Sequence, residues 1–376
     1  MHHRQASRVR CVWSRFLLGA VVALGTTQAA VAVPPPDPTA QELHFLYEVN
    51  RARHDPPAWA AEYGLGSQTG GDGMPVTLIG VMPRPPLALN TTLANSARFK
   101  AQEMATNNYF AHQSMVGPNF YWPNELVRNI FGYPLPMQMP AMCMPSCYMM
   151  YDDSNQVESL AGGYGPGSFD YTISVNAVIG LIVDEGVPSL GHRVHLLGMD
   201  DFNALFVEAG PGYGFSPAAL YHNYWAFHTG MKASAETFLT GVVFHDGNGN
   251  SHFDPGEGLA GVMVQAGLFS AMTGATGGYS ISIPSGTHAV TCSGGGFSGS
   301  AAASVNVIGL NREVDCISGE ASAFVDFVSA PEPGAAGLPA ARSRRRRCAR
   351  CDATSAAQRL NLAACRGSRG SLHPCP

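Results

Sequence analysis

Apolar residues recur at helical spacing in two stretches near the start of the chain. In QELHFLYEVNRAR, Gln41 to Arg53, positions 43, 46 and 47 share one face, and Asp55-Pro56-Pro57 ends the run. Asn90 is placed to cap a second helix, in which Leu93, Ala97, Ala101, Met104 and Ala105 form one buried stripe. Residues 171–184, YTISVNAVIGLIVD, are largely apolar and fit either helix or strand. Runs at 203–209 and 219–228 read as strands. Helices followed by short strands predict a layered α+β domain over 40–235. After Ala235 the period drops towards two. Phe238 to Phe244, 262–264, 279–283, His288 to Cys292, 305–307 and Phe324 to Val328 are short runs, often alternating, separated by Gly-rich turns. That spacing predicts a small all-β sandwich over 237–330.

Composition fits this division. The 376 residues are 45% hydrophobic and 13% charged, with 43 Gly and 27 Pro. Such a chain is long enough for two or three domains, and it is neither coiled coil, collagen nor mainly disordered. The net charge of -5 hides an asymmetry. Residues 1–32 carry four Arg and no acid, and 331–376 carry nine Arg against Glu332 and Asp352. The acidic middle would repel a phosphate backbone, which argues against nucleic acid as a partner.

Both ends read as addresses. Arg4, Arg8, Arg10 and Arg15 precede the apolar FLLGAVVALG, and Ala30-Val31-Ala32 fits a cleavage site, so residues 1–32 read as a signal peptide. That apolar run is too short to span a bilayer comfortably, and no stable membrane span is expected in the mature chain. Export leads to an oxidising compartment, where Cys143 could pair with Cys147 and Cys292 with Cys316. At the other end, Pro331-Glu332-Pro333, a short apolar stretch and the cluster RSRRRR resemble the PEP-CTERM sorting tail of exported bacterial proteins. The apolar stretch is only Gly334 to Ala341, so the tail, 331–376, reads as a degenerate signal or a basic disordered extension.

Five phrases in the first domain occur in a telling order: EVNRARHDPPAWA, LALNTTLANSARFKAQEMATNNYFAHQS, VESLAGG, SLGHRVHLL and FVEAGPGYG. Together they resemble the bacterial branch of the CAP superfamily (SCP domain; cysteine-rich secretory, antigen 5 and pathogenesis-related proteins). The resemblance implies an α-β-α sandwich with a cleft holding two His and two Glu. It assigns His112 of YFAHQS, Glu158 of VESLA and His192 of LGHR to that cleft. Glu185 of VDEG is the candidate for the second glutamate, with Asp184 as the alternative. Two imidazoles and two carboxylates in one cleft could bind a divalent ion such as Zn²⁺ or relay protons near neutral pH. Alternatively, the same polar pairs could simply pin the fold. Neither a Gly-x-Ser-x-Gly elbow nor a His-Glu-x-x-His helix occurs.

The second domain holds DGNGNSHFDPGE, residues 246–257. Asp246, Asn248, Asn250, Asp254 and Glu257 fall at positions 1, 3, 5, 9 and 12, with the His252 carbonyl at 7, the ligand spacing of an EF-hand-type calcium loop. Ser251 replaces the usual Gly at position 6. The surrounding GVVFHDGNGNSHFDPGEGLAGVMVQ and GGYSISIPSGTHAV resemble the prealbumin-like B repeats of bacterial adhesins, which carry such a loop. The Met-rich loop 134–151 offers soft ligands for Cu(I), although irregular spacing favours a covering loop with adaptable filler. These readings converge on a secreted protein that acts at or outside the bacterial cell surface by binding, with a calcium-stiffened spacer; a lipid or cell-wall ligand in the cleft is an option the CAP resemblance allows. An extracellular hydrolase using His112, Glu158, Glu185 and His192 is the rival, and a structural matrix component the third choice.

Overall fold

Thr39 and Glu42 start the first helix. The Thr39 hydroxyl accepts from the Glu42 N–H, and the Glu42 carboxylate accepts from the Thr39 N–H. This capping box satisfies two otherwise orphaned donors and opens α1, Ala40–His54. The computed structural model describes residues 37–326, except 116–119, 139–148, 167–169, 235, 300 and 320–323. The segment read as a signal peptide, the tail after 326 and the Cys143/Cys147 part of the Met-rich loop lie outside the described residues.

Asp55 caps α2, Pro56–Glu62, and the Asn90 side chain caps α3, Thr91–Asn107, by accepting from Leu93 N. A short α4, Pro123–Glu125, runs into a π-helical turn at Leu126–Ile130. The ambiguous apolar run forms a helix, α5, Ser174–Val183, which stops where Asp184 turns left-handed at φ 55°. Helix α6, Gly191–Leu197, follows.

The first sheet contains β1 (Ala88–Leu89), β2 (Glu158–Gly163), β3 (Glu208–Phe215) and β4 (Asn223–Gly230) in the order β1-β3-β4-β2. Two expectations need adjusting. Residues 203–205 form a 3₁₀ turn and β3 starts only at Glu208, while the phrase VESLAGG, read only as a motif, is a strand. Strand β4 alternates. Tyr224 and Ala226 pack with Ala97, Ala101 and Met104 of α3, whereas Trp225 and Phe227 stack on Phe45 of α1 at 5.4 Å each. Helices therefore cover both faces of the sheet. On the α3 side the approach is unusually close. A Cβ on Gly210, Gly212 or Gly214 would lie 2.0, 1.9 or 2.3 Å from an α3 backbone atom.

Beyond this sheet, eight strands form two further sheets. They are β5 (Phe238–Phe244), β6 (Met263–Ala266), β7 (Phe269–Met272), β8 (Gly278–Ser282), β9 (Gly286–Ser293), β10 (Ala301–Val307), β11 (Arg312–Ile317) and β12 (Phe324–Asp326). The orders are β10-β9-β6-β7 and β12-β11-β5-β8. Val264, Val290 and Val305 of one sheet share a core with Leu239, Tyr279 and Val314 of the other. The chain is thus α+β, a helix-and-sheet region followed by an all-β region.

Cys292 of β9 and Cys316 of β11 form a disulfide that ties the two β-sheets together across 24 residues. Closing a loop of that size in the unfolded chain is worth about 3 kcal/mol. The double Cys292→Ala, Cys316→Ala variant is therefore expected to lose stability of that order in urea. Equal midpoints for oxidised wild type and variant would show that the bond constrains little.

The two regions share a joint. Leu43 and Tyr47 of α1 are buried with Val242, Phe244, Phe253 and Ile317. Polar ties flank this cluster: Asn311 donates to the carbonyls of Pro86 and Val207, Leu89 N to Thr240, and Ala275 N to Asp37. Glu313 and Asp315 of β11 are also buried beside it, at 2% and 0% exposure. Each keeps one oxygen with no hydrogen-bond partner among the described residues. Among the described residues no helix is long and apolar enough to cross a membrane.

Candidate functional site

Strand register builds the centre of the site. Glu158 opens β2 directly opposite His228 of β4. Its Oε2 accepts from His228 Nε2 at 2.8 Å, and its Oε1 lies 2.8 Å from His112 Nδ1. Beyond His228, Nδ1 meets the Ser96 hydroxyl of α3 at 2.7 Å. A chain Ser96–His228–Glu158–His112 thus runs from the buried side of α3 to the surface. Asn155 braces it, accepting from Glu158 N and placing its amide nitrogen 2.9 Å from His112 Nδ1. The Glu158 side chain is wholly buried, whereas that of His112 is 37% exposed. Burial by itself would raise the Glu158 carboxyl, yet hydrogen bonds from His112 and His228 hold it down to about 2. Nearby Lys100 is buried with its ammonium 3.0 Å from the Tyr109 hydroxyl, and burial lowers its pKa.

A second imidazole–carboxylate pair includes His192, which also lines the cavity beside His112 and Glu158. Asp184, at the end of α5, accepts from the backbone N–H of His192 and from His192 Nδ1 at 2.7 Å. One carboxylate therefore caps the short α6 and orients its histidine. Glu185, the expected partner, is exposed and does not line the cavity. The left-handed turn at Asp184 sends the earlier of the two acids inward. The cavity has a volume of about 410 Å³, with His112, Glu158, His192 and His195 in its wall. His195 was not expected there. It is buried, bonded to Ser159 through Nδ1 and to Thr229 through Nε2 at 2.7 Å each, and burial lowers its pKa to about 3. Among the described residues, His112 and His192 have no hydrogen-bond partner on Nε2. Both thus resemble metal-site histidines, whose other ring nitrogen is held by a carboxylate. An imidazole nitrogen is a donor type that Zn²⁺ accepts.

The 246–257 loop is ordered by its own acids. Asp246 accepts from the N–H groups of Gly249, Asn250 and Ser251, and Glu257 accepts from those of Gly247 and Asp254. Asn248 and Asn250 both direct their amides to Asp254 Oδ2, at 2.7 and 2.8 Å. Ser251 adopts φ 61°, the left-handed geometry that position 6 of such a loop demands and that Gly usually supplies. The carboxylates of Asp246, Asp254 and Glu257 are the donor type a hard cation takes, while the Asn248 and Asn250 amides turn nitrogen, not oxygen, towards Asp254. Among the described residues, no three His, Cys, Asp or Glu side chains by themselves form a metal-holding group. The loop's donor set would also need amide and carbonyl oxygens.

A separate cavity of about 350 Å³ lies where Asp37 and Asn90 meet Gly274 to Ser280. Its one carboxylate, Asp37, already accepts from Ala275 N. Comparison with protein-family models and with curated proteins finds no match for this chain.

Proposed function

We propose that this chain is an exported CAP-type protein whose cleft binds a ligand outside the bacterial cell, a lipid or a cell-wall polymer. The observation that carries the reading is the pair of histidines, His112 and His192, facing one cavity of about 410 Å³ with Nδ1 of each held by a buried carboxylate. The sheet covered by helices on both faces is consistent with the α-β-α sandwich of that family, and the two packed β-sheets with the B-repeat type of module. Asp184 takes the role first considered for Glu185. A Zn²⁺ ion would be held by Nε2 of His112 and His192, and when bound it supplies a positive centre for an oxygen-rich or anionic group of the ligand. In the second region, calcium would be held by Asp246, Asn248, Asn250, the His252 carbonyl, Asp254 and Glu257.

The state of Ser159 argues against one hydrolytic route, that of a serine nucleophile. It is the cavity-lining hydroxyl, yet it is 1% exposed and bonded to His195. A nucleophile has to reach substrate and needs a base able to take its proton, whereas burial makes His195 a poor one.

Calorimetry with Zn²⁺ on the full chain tests the cleft. Wild type is expected to take up one ion there, and His112→Ala and His192→Ala are each expected to weaken uptake at least tenfold, since each removes one of two protein ligands. Unchanged affinity in both variants would sink the metal reading. Co-sedimentation with anionic phospholipid vesicles and with purified peptidoglycan then tests the ligand class. Retention by neither would overturn the binding function.

A further inference from the structure

Two residues of the calcium loop leave it to enter the first region. His252 occupies position 7, where the backbone carbonyl faces the ion site in loops of this kind. Its side chain instead reaches α1, with Nε2 3.1 Å from Arg51 Nη2. A guanidinium only donates, so the imidazole nitrogen accepts. Arg51 is itself held by Glu48 at 3.0 Å and Glu62 at 2.6 Å, on α1 and α2. Phe253, at position 8, is 0% exposed. Its ring meets Tyr47 of α1 edge-on at 5.6 Å and Phe244 of β5 at 5.8 Å. The segment that would wrap the ion therefore also supplies an aromatic plug for the joint.

These two tasks need the same backbone order. Without a cation, Asp246, Asp254 and Glu257 crowd like charges into one turn, and fixing twelve residues costs conformational entropy. The backbone order that Asp246 and Glu257 hold by hydrogen bonds is also the order that presents Phe253 and His252 to α1. A ligand that binds the ordered loop must then favour the docked joint, and by reciprocity the docked joint must favour the ligand.

We propose that calcium binding at 246–257 is coupled to the packing of His252 and Phe253 on α1, so that the ion locks the second region onto the first helix. This coupling rests on the calcium reading given above. The second region then acts as a clamp whose grip depends on extracellular calcium, rather than as a passive spacer.

Hydrogen exchange of the full chain, read by mass spectrometry with calcium and with chelator, tests the coupling, with calorimetry recording uptake in parallel. Amides of residues 40–62 are expected to exchange at least about fivefold more slowly with calcium, the low end of ordinary coupling strengths. Phe253→Ala is expected to abolish that protection and to weaken calcium binding by a similar factor. Arg51→Gln keeps the plug and is expected to show a smaller loss of both, so the test survives if Phe253→Ala does not fold. Calcium uptake with unchanged exchange at 40–62, in a wild type whose loop itself becomes protected, would overturn the coupling alone. No calcium uptake at millimolar concentration would overturn the loop reading and the coupling with it.

Discussion

A Glu158→Gln protein is expected to be less stable than wild type by about 3–5 kcal/mol at neutral pH, the usual cost of breaking a buried ion pair from one side. The carboxylate is wholly buried and serves two histidines, with Lys100 nearby. Removing its charge leaves the buried Lys100 without its counter-charge and the buried His228 without its acceptor. The effect should depend on pH in a defined direction. Glu158 is held at about 2 in the folded protein, against an ordinary value of 4.5. Its contribution is thus fully present above the ordinary value and is lost as pH falls towards 2, a range worth about 3 kcal/mol. Urea unfolding at a series of pH values checks this. The gap between wild type and variant should narrow below pH 4.5 and nearly close by about 2. A gap that stays constant over that range would mean that Glu158 contributes shape rather than charge.

Asp315→Asn should do the opposite and stabilise the protein at alkaline pH. Asp315 is buried on β11, and burial raises its carboxyl pKa to about 7 even though Val242 N–H donates to it. Glu313, two residues earlier on the same strand face, is pushed up by burial and by Asp315. Tyr47 of α1 also faces this pair, and Arg51 lies further along that helix. A group with a raised pKa contributes fully below its unfolded value and loses that contribution as pH rises through its folded one. Between about pH 4 and 8 the cost of ionising Asp315 amounts to about 4 kcal/mol. Asparagine keeps an acceptor for Val242 N–H and never ionises. The variant should match wild type near pH 4 and exceed it by several kcal/mol at pH 8. His195, lowered by burial from 6.5 to about 3, loses its contribution as pH falls and so works against Asp315 in an overlapping range. Only the difference between the two proteins isolates the joint, and an equal effect at pH 4 and pH 8 would refute this account.

Helices α1 and α3 were legible in the sequence for local reasons, as was the turn at 246–257. Asn90 marks the start of α3 through a cap three residues long, and the oxygen side chains of 246–257 are spaced along a single turn. The rest of the site depends on partners far apart in the chain. Glu158 and His228 are 70 residues apart and meet only through the β2–β4 register. In NYWAFHTG the large Trp225 and Phe227 dominate the pattern, so His228 reads as the polar side of a half-exposed strand. In fact that side is covered by α3 and holds Ser96. Glu185 and Asp184 could not be separated by spacing, because the choice rests on one left-handed residue. Strand β11 escaped notice because two acids at alternate positions resemble a solvated loop, whereas they are buried at the joint.

The place of α1 between two cores has a consequence for how the chain comes into being. Synthesis delivers Leu43 and Tyr47 long before Phe253 and Ile317, which complete their surroundings. For roughly two hundred residues of elongation, the second apolar face of α1 has nothing to cover it, a state in which early segments invite aggregation or capture by holding factors. Completion must wait for β11, and contacts of such sequence separation make for slow closure. A chain terminated before Phe238 would keep its first sheet and its histidine cavity while leaving that helix face permanently open. The later strands thus cover a helix face that the earlier region leaves open.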